Sequence, residues 1–352
     1  MPERNTMKKI QELQQVKGDA YDYYIAGNED TDLFEKIFLV DDIVEEICKP
    51  DKYFLIGEKG SGKTAYSVYM SKSDKINSFC SISLVENTLY QRFLNMKRQK
   101  ALELSSFKDV WINLIYLILA EKIRKEYGET FFSSIKYKQL SKAIDVFYSD
   151  AFKPEFVNAF EFVDNACASI NSMMKQGLFS TGTKASAETS QKYVEQSFQI
   201  SLLKIRDGFE KAFMSVNLKK PTILFVDGID ARPRDIDNEQ YFECLVGLVN
   251  AVLEMNQSFL KEKQIKIMLL IRPDIMYKMP VHNMNQKLRN NSVLLNWVTS
   301  YRKYIDSKLF KIADDYFMKQ QDYSYELGEC WNYYFPYKVE LSLIHISEPT
   351  RP

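Results

Sequence analysis

The tightest constraint on this chain is the stretch from Lys52 to Thr64, KYFLIGEKGSGKT, an apolar run broken by glycines and closed by a lysine and a threonine. Gly57, Gly62, Lys63 and Thr64 satisfy G-x-x-x-x-G-K-[ST], the Walker A pattern. A phosphate chain has to be wrapped by backbone N–H groups, and only a loop with little Cβ bulk brings them close enough. On that reading Gly57, Glu58, Lys59, Gly60, Ser61, Gly62, Lys63, Thr64 and Ala65 cradle the phosphates. Lys63 reaches the β- and γ-phosphates and Thr64 offers its hydroxyl to Mg²⁺. A helix starting at Gly62 to Thr64 aims the positive end of its dipole at the anion. The flanks agree: Lys52–Ile56 is expected to be a buried strand, and Lys63–Ser71 a helix with Ala65, Val68 and Tyr69 on one face.

The rest of the chain can supply a fold around such a loop. Its 352 residues are 45% hydrophobic and 14% aromatic, enough to fill the core of one large domain or two ordinary ones. Lys+Arg and Asp+Glu both number 47, so net charge gives no support to a nucleic-acid or membrane-surface role. The five cysteines make no C-x-x-C pair, and with two histidines no metal-site spacing arises. Reduced, buried thiols in a cytoplasmic protein are the expectation. Met1–Val16 lacks the apolar core of a signal peptide. The most apolar window, Val110–Ala120, is shorter than the roughly 20 residues that a spanning helix needs, so no membrane association is expected. Leu341–Arg351 reads like translated sequencing-adapter DNA, so 341–352 is set aside as an artefactual tail and the natural chain is expected to continue differently after Glu340.

In chain order, a short basic amphipathic helix opens the sequence and a helix is expected over Thr31–Cys48, with Leu33, Ile37, Val40, Ile43, Val44 and Ile47 on one side. Ser78–Val85 alternates like a strand. Residues 87–215 turn helical: Ser106 and Asp109 suggest a capping box before a helix over Phe107–Lys125, which Gly128 stops. Asn171–Ser190 reads as a linker, and Gln191–Phe213 as a further helix. Ile223–Val226 is then an unbroken apolar run ending in Asp227, as expected of a buried parallel strand that carries a carboxylate to its C-terminal edge. Behind a Walker A loop this reads as a Walker B strand with Asp227 on Mg²⁺, although an aspartate can also end a strand as a simple turn former. Asn238–Asn256 is a helix, Ile265–Ile271 another apolar strand, Asn291–Leu295 a short last strand and Ser300–Gln320 a helix that could begin a lid. Arg272, stopped by Pro273 at the same sheet edge, could sense the γ-phosphate or simply pair with Asp274. The expected domains are 1–86 as N-terminal helices with the first two strands, 87–215 as a helical insertion, 216–298 as the remaining core and 299–340 as the lid.

With those elements placed, the chain resembles a P-loop ATPase of the additional-strand division, to which AAA+, STAND and KAP proteins belong. Leu224–Asp230, LFVDGID, is similar to the D-G-h-D-E signature of NACHT-type STAND ATPases, and Leu269–Arg272 resembles their strand-end sensor. Gly57–Ala65, Phe225–Pro233, Ile271–Ile275 and Asn291–Trp297 together resemble a bacterial P-loop ATPase family over most of the chain. The resemblance implies a three-layer, doubly wound parallel α/β sheet with a large helical insertion between Walker A and Walker B, ATP and Mg²⁺ as cofactors, and Lys63, Asp227, Asp230 and Arg272 as catalytic residues. Two departures stand out. Gly228 occupies the place of the usual glutamate after the Walker B aspartate, and Ala231 that of the last acidic residue of the NACHT pattern, so hydrolysis is expected to be slow. Asp230 is the candidate to orient the attacking water, the alternative being a turn residue opening the Ala231–Pro233 loop.

Three functions are consistent with this reading. The first is a nucleotide-operated switch in a signalling or defence-type assembly, passing motion to a protein partner, a further effector domain or a second copy of the chain. The second is an AAA+-like nucleic-acid motor or loader, for which Lys204, Arg206, Lys211, Lys219, Lys220 and Arg289 are the basic candidates. The third is a small-molecule kinase, which the long insertion and the Asp227–Asp230 segment disfavour.

Overall fold

The computed structural model describes residues 7–25, 28–85, 107–132, 137–150, 202–230, 238–279, 288–297 and 304–336. Ser106, the 171–190 stretch, the 191–201 part of the following helix, the Ala231–Pro233 loop and the 341–352 tail lie outside them. Packing divides the chain into Asp41–Asn296 on one hand and the two ends, Met1–Val40 with Trp297–Pro352, on the other. The sequence reading groups the N-terminal helices with the first strand and sets 299–340 apart; packing instead joins residues 1–40 to 297–352.

In the terminal unit the expected amphipathic helix falls partly on residues 1–6, outside the described residues, and the part described holds a 3₁₀ turn, Ile10–Glu12. The helix Lys308–Met318 carries a buried Asp314, whose carboxylate accepts the Gly328 N–H at 2.6 Å and the Trp331 N–H at 3.0 Å. Those two bonds satisfy backbone donors at the start of the helix Glu329–Tyr334, which a side chain on that helix leaves open. Leu13, Phe317 and Cys330 form a small apolar cluster beside them.

The single helix expected over Thr31–Cys48 is two, Asn28–Ile37 and α1, Asp42–Cys48. Asp41 makes the break: its backbone is extended, and its side chain accepts the Ile43 N–H at 3.2 Å as an N-cap. It also accepts the Tyr66 hydroxyl at 2.9 Å. The larger unit then runs β1, Phe54–Gly57; α2, Lys63–Lys72; β2, Phe79–Leu84; α3, Phe107–Phe132; α4, Lys138–Asp150; and α5, 202–215. It continues with β3, Thr222–Asp227; α6, Asn238–Gln257; β4, Ile265–Ile271; α7, Pro273–Lys278; and β5, Ser292–Leu295. α2 buries Val68 and Tyr69 as expected and leaves Ala65 half-buried.

The five strands form one all-parallel sheet in the order β2-β3-β4-β1-β5. Every residue of β3 and β4 is buried, which a strand with alternating side chains achieves only when both faces of the sheet are covered. The architecture is α/β, as expected. β1 begins to pair with β4 only at Leu269, and before that point the Asn256 side chain takes the place of a strand. It donates to the Ile267 carbonyl at 2.8 Å and accepts the Ile267 N–H at 2.9 Å.

The inserted segment is part of this unit. α3 packs along α6, and Val110, Trp111, Leu114 and Ile118 are buried as the sequence expects of a core face. The approach is close: a Cβ on Gly247 of α6 would stand 2.7 Å from the Phe107 Cβ. The Trp111 Nε1 donates to the Cys244 carbonyl at 3.1 Å. On the rim, Arg206 of α5 donates to Glu210 at 2.8 Å and to Glu254 at 2.7 Å, while Lys108 of α3 reaches Glu254 at 2.7 Å. Helical geometry in α3 breaks at Gly128, whose φ is 74°.

Candidate functional site

The sequence-predicted residues converge on the C-terminal edge of the sheet, where β1, β3 and β4 end. The loop from β1 to α2 needs glycine for two physical reasons. A Cβ on Gly57 would lie 2.2 Å from the Ser61 Oγ and 3.0 Å from the Leu295 Cβ, so the loop could not close over β1. Gly60 and Gly62 have φ of 80° and 87°, left-handed values that cost an L side chain roughly 1–2 kcal/mol. Glu58, Lys59 and Gly60 are exposed and Ser61 is buried.

Lys63 is the first residue of α2 and is only 7% exposed. Its ammonium folds back across the loop, donating to the Gly57 carbonyl at 2.8 Å and to the Glu58 carbonyl at 3.1 Å. Burial lowers its pKa, opposed first by the charge of Asp230 and then by that of Asp227, while Arg272 adds to the lowering. Both Asp230 and Asp227 therefore act on Lys63 as opposing charges. This brings Lys63, Asp227, Asp230 and Arg272 into one electrostatic neighbourhood.

Thr64 and Asp227 meet directly: the threonine hydroxyl donates to Asp227 Oδ2 at 2.6 Å. The second carboxylate oxygen, Oδ1, accepts the Gly228 N–H at 2.7 Å. Burial raises the pKa of Asp227; the Thr64 and Gly228 hydrogen bonds oppose this and the Asp230 charge adds to it. A hydroxyl and a carboxylate at this separation, both hard oxygen donors, fit two positions on Mg²⁺, which ordinarily keeps several waters and takes other ligands from phosphates. Among the described residues no group of three or more His, Cys, Asp or Glu could hold a metal by itself. A metal here therefore has to share its shell with a ligand.

The missing glutamate has a structural reason that the sequence alone does not reveal. Gly228 has φ of 83°, and a Cβ there would lie 2.9 Å from the Val85 carbonyl oxygen. Val85 in turn donates its N–H to the Asp227 carbonyl at 2.8 Å, so this close approach is set by the edge of the sheet. The turn at Gly228 sends Ile229 into the core, where the Tyr241 hydroxyl holds its carbonyl at 2.6 Å. Asp230 follows half-buried. Sequence reasoning missed Val85 and Tyr241; neither carries a local signal, since each acts through backbone reached across the fold.

Arg272 stands where the register predicts. Ile271 is level with Ile56 on the neighbouring strand, so Arg272 leaves β4 beside the first loop glycine. Its guanidinium, however, is engaged by Asp274, with Nε donating at 3.0 Å and Nη2 at 2.8 Å. Of the two roles that the sequence leaves open, the ion pair is the one present. Comparison of the chain with protein-family models, with curated proteins and with solved structures gives no match.

Proposed function

We propose that this chain binds ATP with Mg²⁺ at the C-terminal edge of its sheet and hydrolyses it slowly, as a nucleotide-operated switch. The observation that carries the reading is the 2.6 Å contact of Thr64 with Asp227, which joins the end of β3 to the first turn of α2 directly beside the glycine loop. A strand-end turn former and an unrelated surface threonine have no reason to meet there. The position of β4 between β1 and β3 supports it further, because it is the extra strand that the resemblance to the additional-strand division calls for. In this reading the loop N–H groups and Lys63 hold the phosphates, Mg²⁺ supplies charge neutralisation, and Asp230 positions the attacking water.

The switch reading is favoured over the nucleic-acid motor by the state of the basic candidates. Arg206 is tied to Glu210 and Glu254, and Lys211 to Asp207 at 2.5 Å, while Lys204, Lys219, Lys220 and Arg289 are exposed and keep the second reading open to test. No helix among the described residues is long and apolar enough to cross a membrane, so an intramembrane insertion like that of KAP proteins is not supported. A direct test is nucleotide binding with and without Mg²⁺ for the wild type, Thr64→Ala and Asp227→Asn. The expected outcome is Mg²⁺-dependent binding in the wild type that loses its metal dependence in both variants. Full Mg²⁺-dependent turnover by Asp227→Asn would overturn the assignment of the metal site.

A further inference from the structure

We infer that Asp274 sets the discrimination between ATP and ADP, by competing with the γ-phosphate for Arg272. The inference rests on the phosphate-site reading above and concerns a residue to which the sequence patterns assign no part in the site. Arg272 is the strand-end cation nearest the loop in register, and its charge is felt at Lys63. Yet it already holds a carboxylate in a two-point fork, through Nε at 3.0 Å and Nη2 at 2.8 Å. A fork of this kind is the geometry in which a guanidinium also takes phosphate oxygens. The same donors cannot serve both partners at full strength.

The exposure of the pair decides which partner prevails. The Arg272 side chain is 26% exposed and that of Asp274 is 43% exposed, so water solvates the carboxylate and the ion pair is weak. A γ-phosphate bears more charge than a carboxylate and would be held by the loop at the same time. Arg272 can therefore exchange Asp274 for the terminal phosphate of ATP. ADP has no group at that position and leaves the pair as it is. Asp274 thus weakens ATP binding by the strength of one exposed ion pair and leaves ADP binding untouched. Its placement favours this role over that of a support for the fold: Asp274 lies on α7, immediately after Pro273, and its hydrogen-bond partner among the described residues is Arg272, two positions before it.

The test is titration of the full chain with ATP and with ADP in the presence of Mg²⁺, for the wild type, Asp274→Asn, Arg272→Ala and the double variant. Asp274→Asn should bind ATP two- to fivefold more tightly, with ADP affinity unchanged, and Asp274→Glu should restore the wild-type ratio. In the Arg272→Ala background the asparagine should bring no gain, since the effect runs through the guanidinium. Weaker ATP binding by Asp274→Asn with an unchanged melting temperature would overturn the proposal, marking Asp274 as a group that orients Arg272. Equal changes for ATP and ADP, or a gain that persists without Arg272, would overturn it as well. A wild type that binds neither nucleotide would reject the phosphate-site reading itself and the proposal with it.

Discussion

Two lysines at opposite ends of the same sheet look alike in isolation. Lys63 follows β1 at the C-terminal edge, Lys266 is the second residue of β4, and each is 7% exposed. Each donates to two backbone carbonyls: Lys63 to Gly57 and Glu58, Lys266 to Ile47 and Lys49. Burial depresses both, and Lys266 is pushed down to about 8. The difference lies in what surrounds them. The acceptors of Lys266 are carbonyls of the last turn and the C-cap of α1, where the helix dipole favours a cation. Its titratable surroundings are Asp51 and two thiols, Cys48 and Cys80, whose pKa values desolvation raises. Lys63 sits instead among Asp230, Asp227, Glu58 and Arg272, on a loop without side-chain bulk. A buried lysine tied to backbone carbonyls at a helix end completes a fold; one among several carboxylates and a guanidinium is, on the proposed reading, placed to exchange partners.

That contrast can be broken most directly at Lys63. Lys63→Ala should abolish stabilisation by Mg-ATP, which in the wild type at about 100-fold over the dissociation constant amounts to about 2.7 kcal/mol. Thermal melting reads this, and an equal shift in the variant would erase the distinction. Lys266→Ala should do the opposite: it leaves the buried Ile47 carbonyl without this donor and should lower unfolding free energy by about 2 kcal/mol while the ATP shift is kept.

The same lysine makes a pH prediction. Lys266 is held near 8 in the folded chain against an ordinary 10.5, so between those values the unfolded chain binds the extra proton. Stability of the wild type relative to Lys266→Met should therefore rise with pH across that window. Urea melts at pH 7.5, 9 and 10.5, values chosen to span the roughly unit-wide ends of the titration, would show it. A flat difference would mean that the amine titrates as if exposed.

Smaller effects sharpen the chemistry at the carboxylate side. Asp230→Asn should retain ATP and slow single-turnover hydrolysis at least about tenfold, or about 1.4 kcal/mol of barrier. Unchanged chemistry on a preformed complex would remove Asp230 from the site. Gly228→Ala should cost at least about 1 kcal/mol of stability through its left-handed backbone. Gly228→Glu should give no faster turnover, because the Val85 carbonyl occupies the space of its Cβ.

The sequence revealed whatever was local. β4 runs over Ile265–Ile271 just as its apolar stretch predicts, and α6 departs from expectation by a single residue at its end. The loop residues, Thr64 and Asp227 converge because the pattern itself encodes a strand, a turn and a helix. What was hidden depends on partners far along the chain. The long periodic run from Thr31 to Cys48 concealed a helix boundary, since Asp41 breaks it by a side-chain cap that interrupts no hydrophobic pattern. Nothing local explains a lysine at position 266 in an apolar strand, because its acceptors at the end of α1 lie more than two hundred residues earlier. The turn at Gly228 could be seen as a missing glutamate but not as an exclusion by Val85.

The strand order has a consequence for the time at which this site can come into being. β1 is made early, yet its two neighbours are β4 and β5, so one of its hydrogen-bonding edges stays open until Ile271 has been synthesised and the other until Leu295. Among the described strands only β2 and β3 can pair before β4 is made, and they do so away from the loop. Closing β1 between such distant segments carries the loop entropy of long-range contacts and should be among the last events of folding. A nascent chain halted before β4 would expose Phe54, Leu55 and Ile56 on an unpaired strand and would gain no protection from ATP. On the proposed reading, nucleotide capture and completion of the fold coincide, and ATP in the surrounding solution would act on the final step of assembly as well as on the finished molecule.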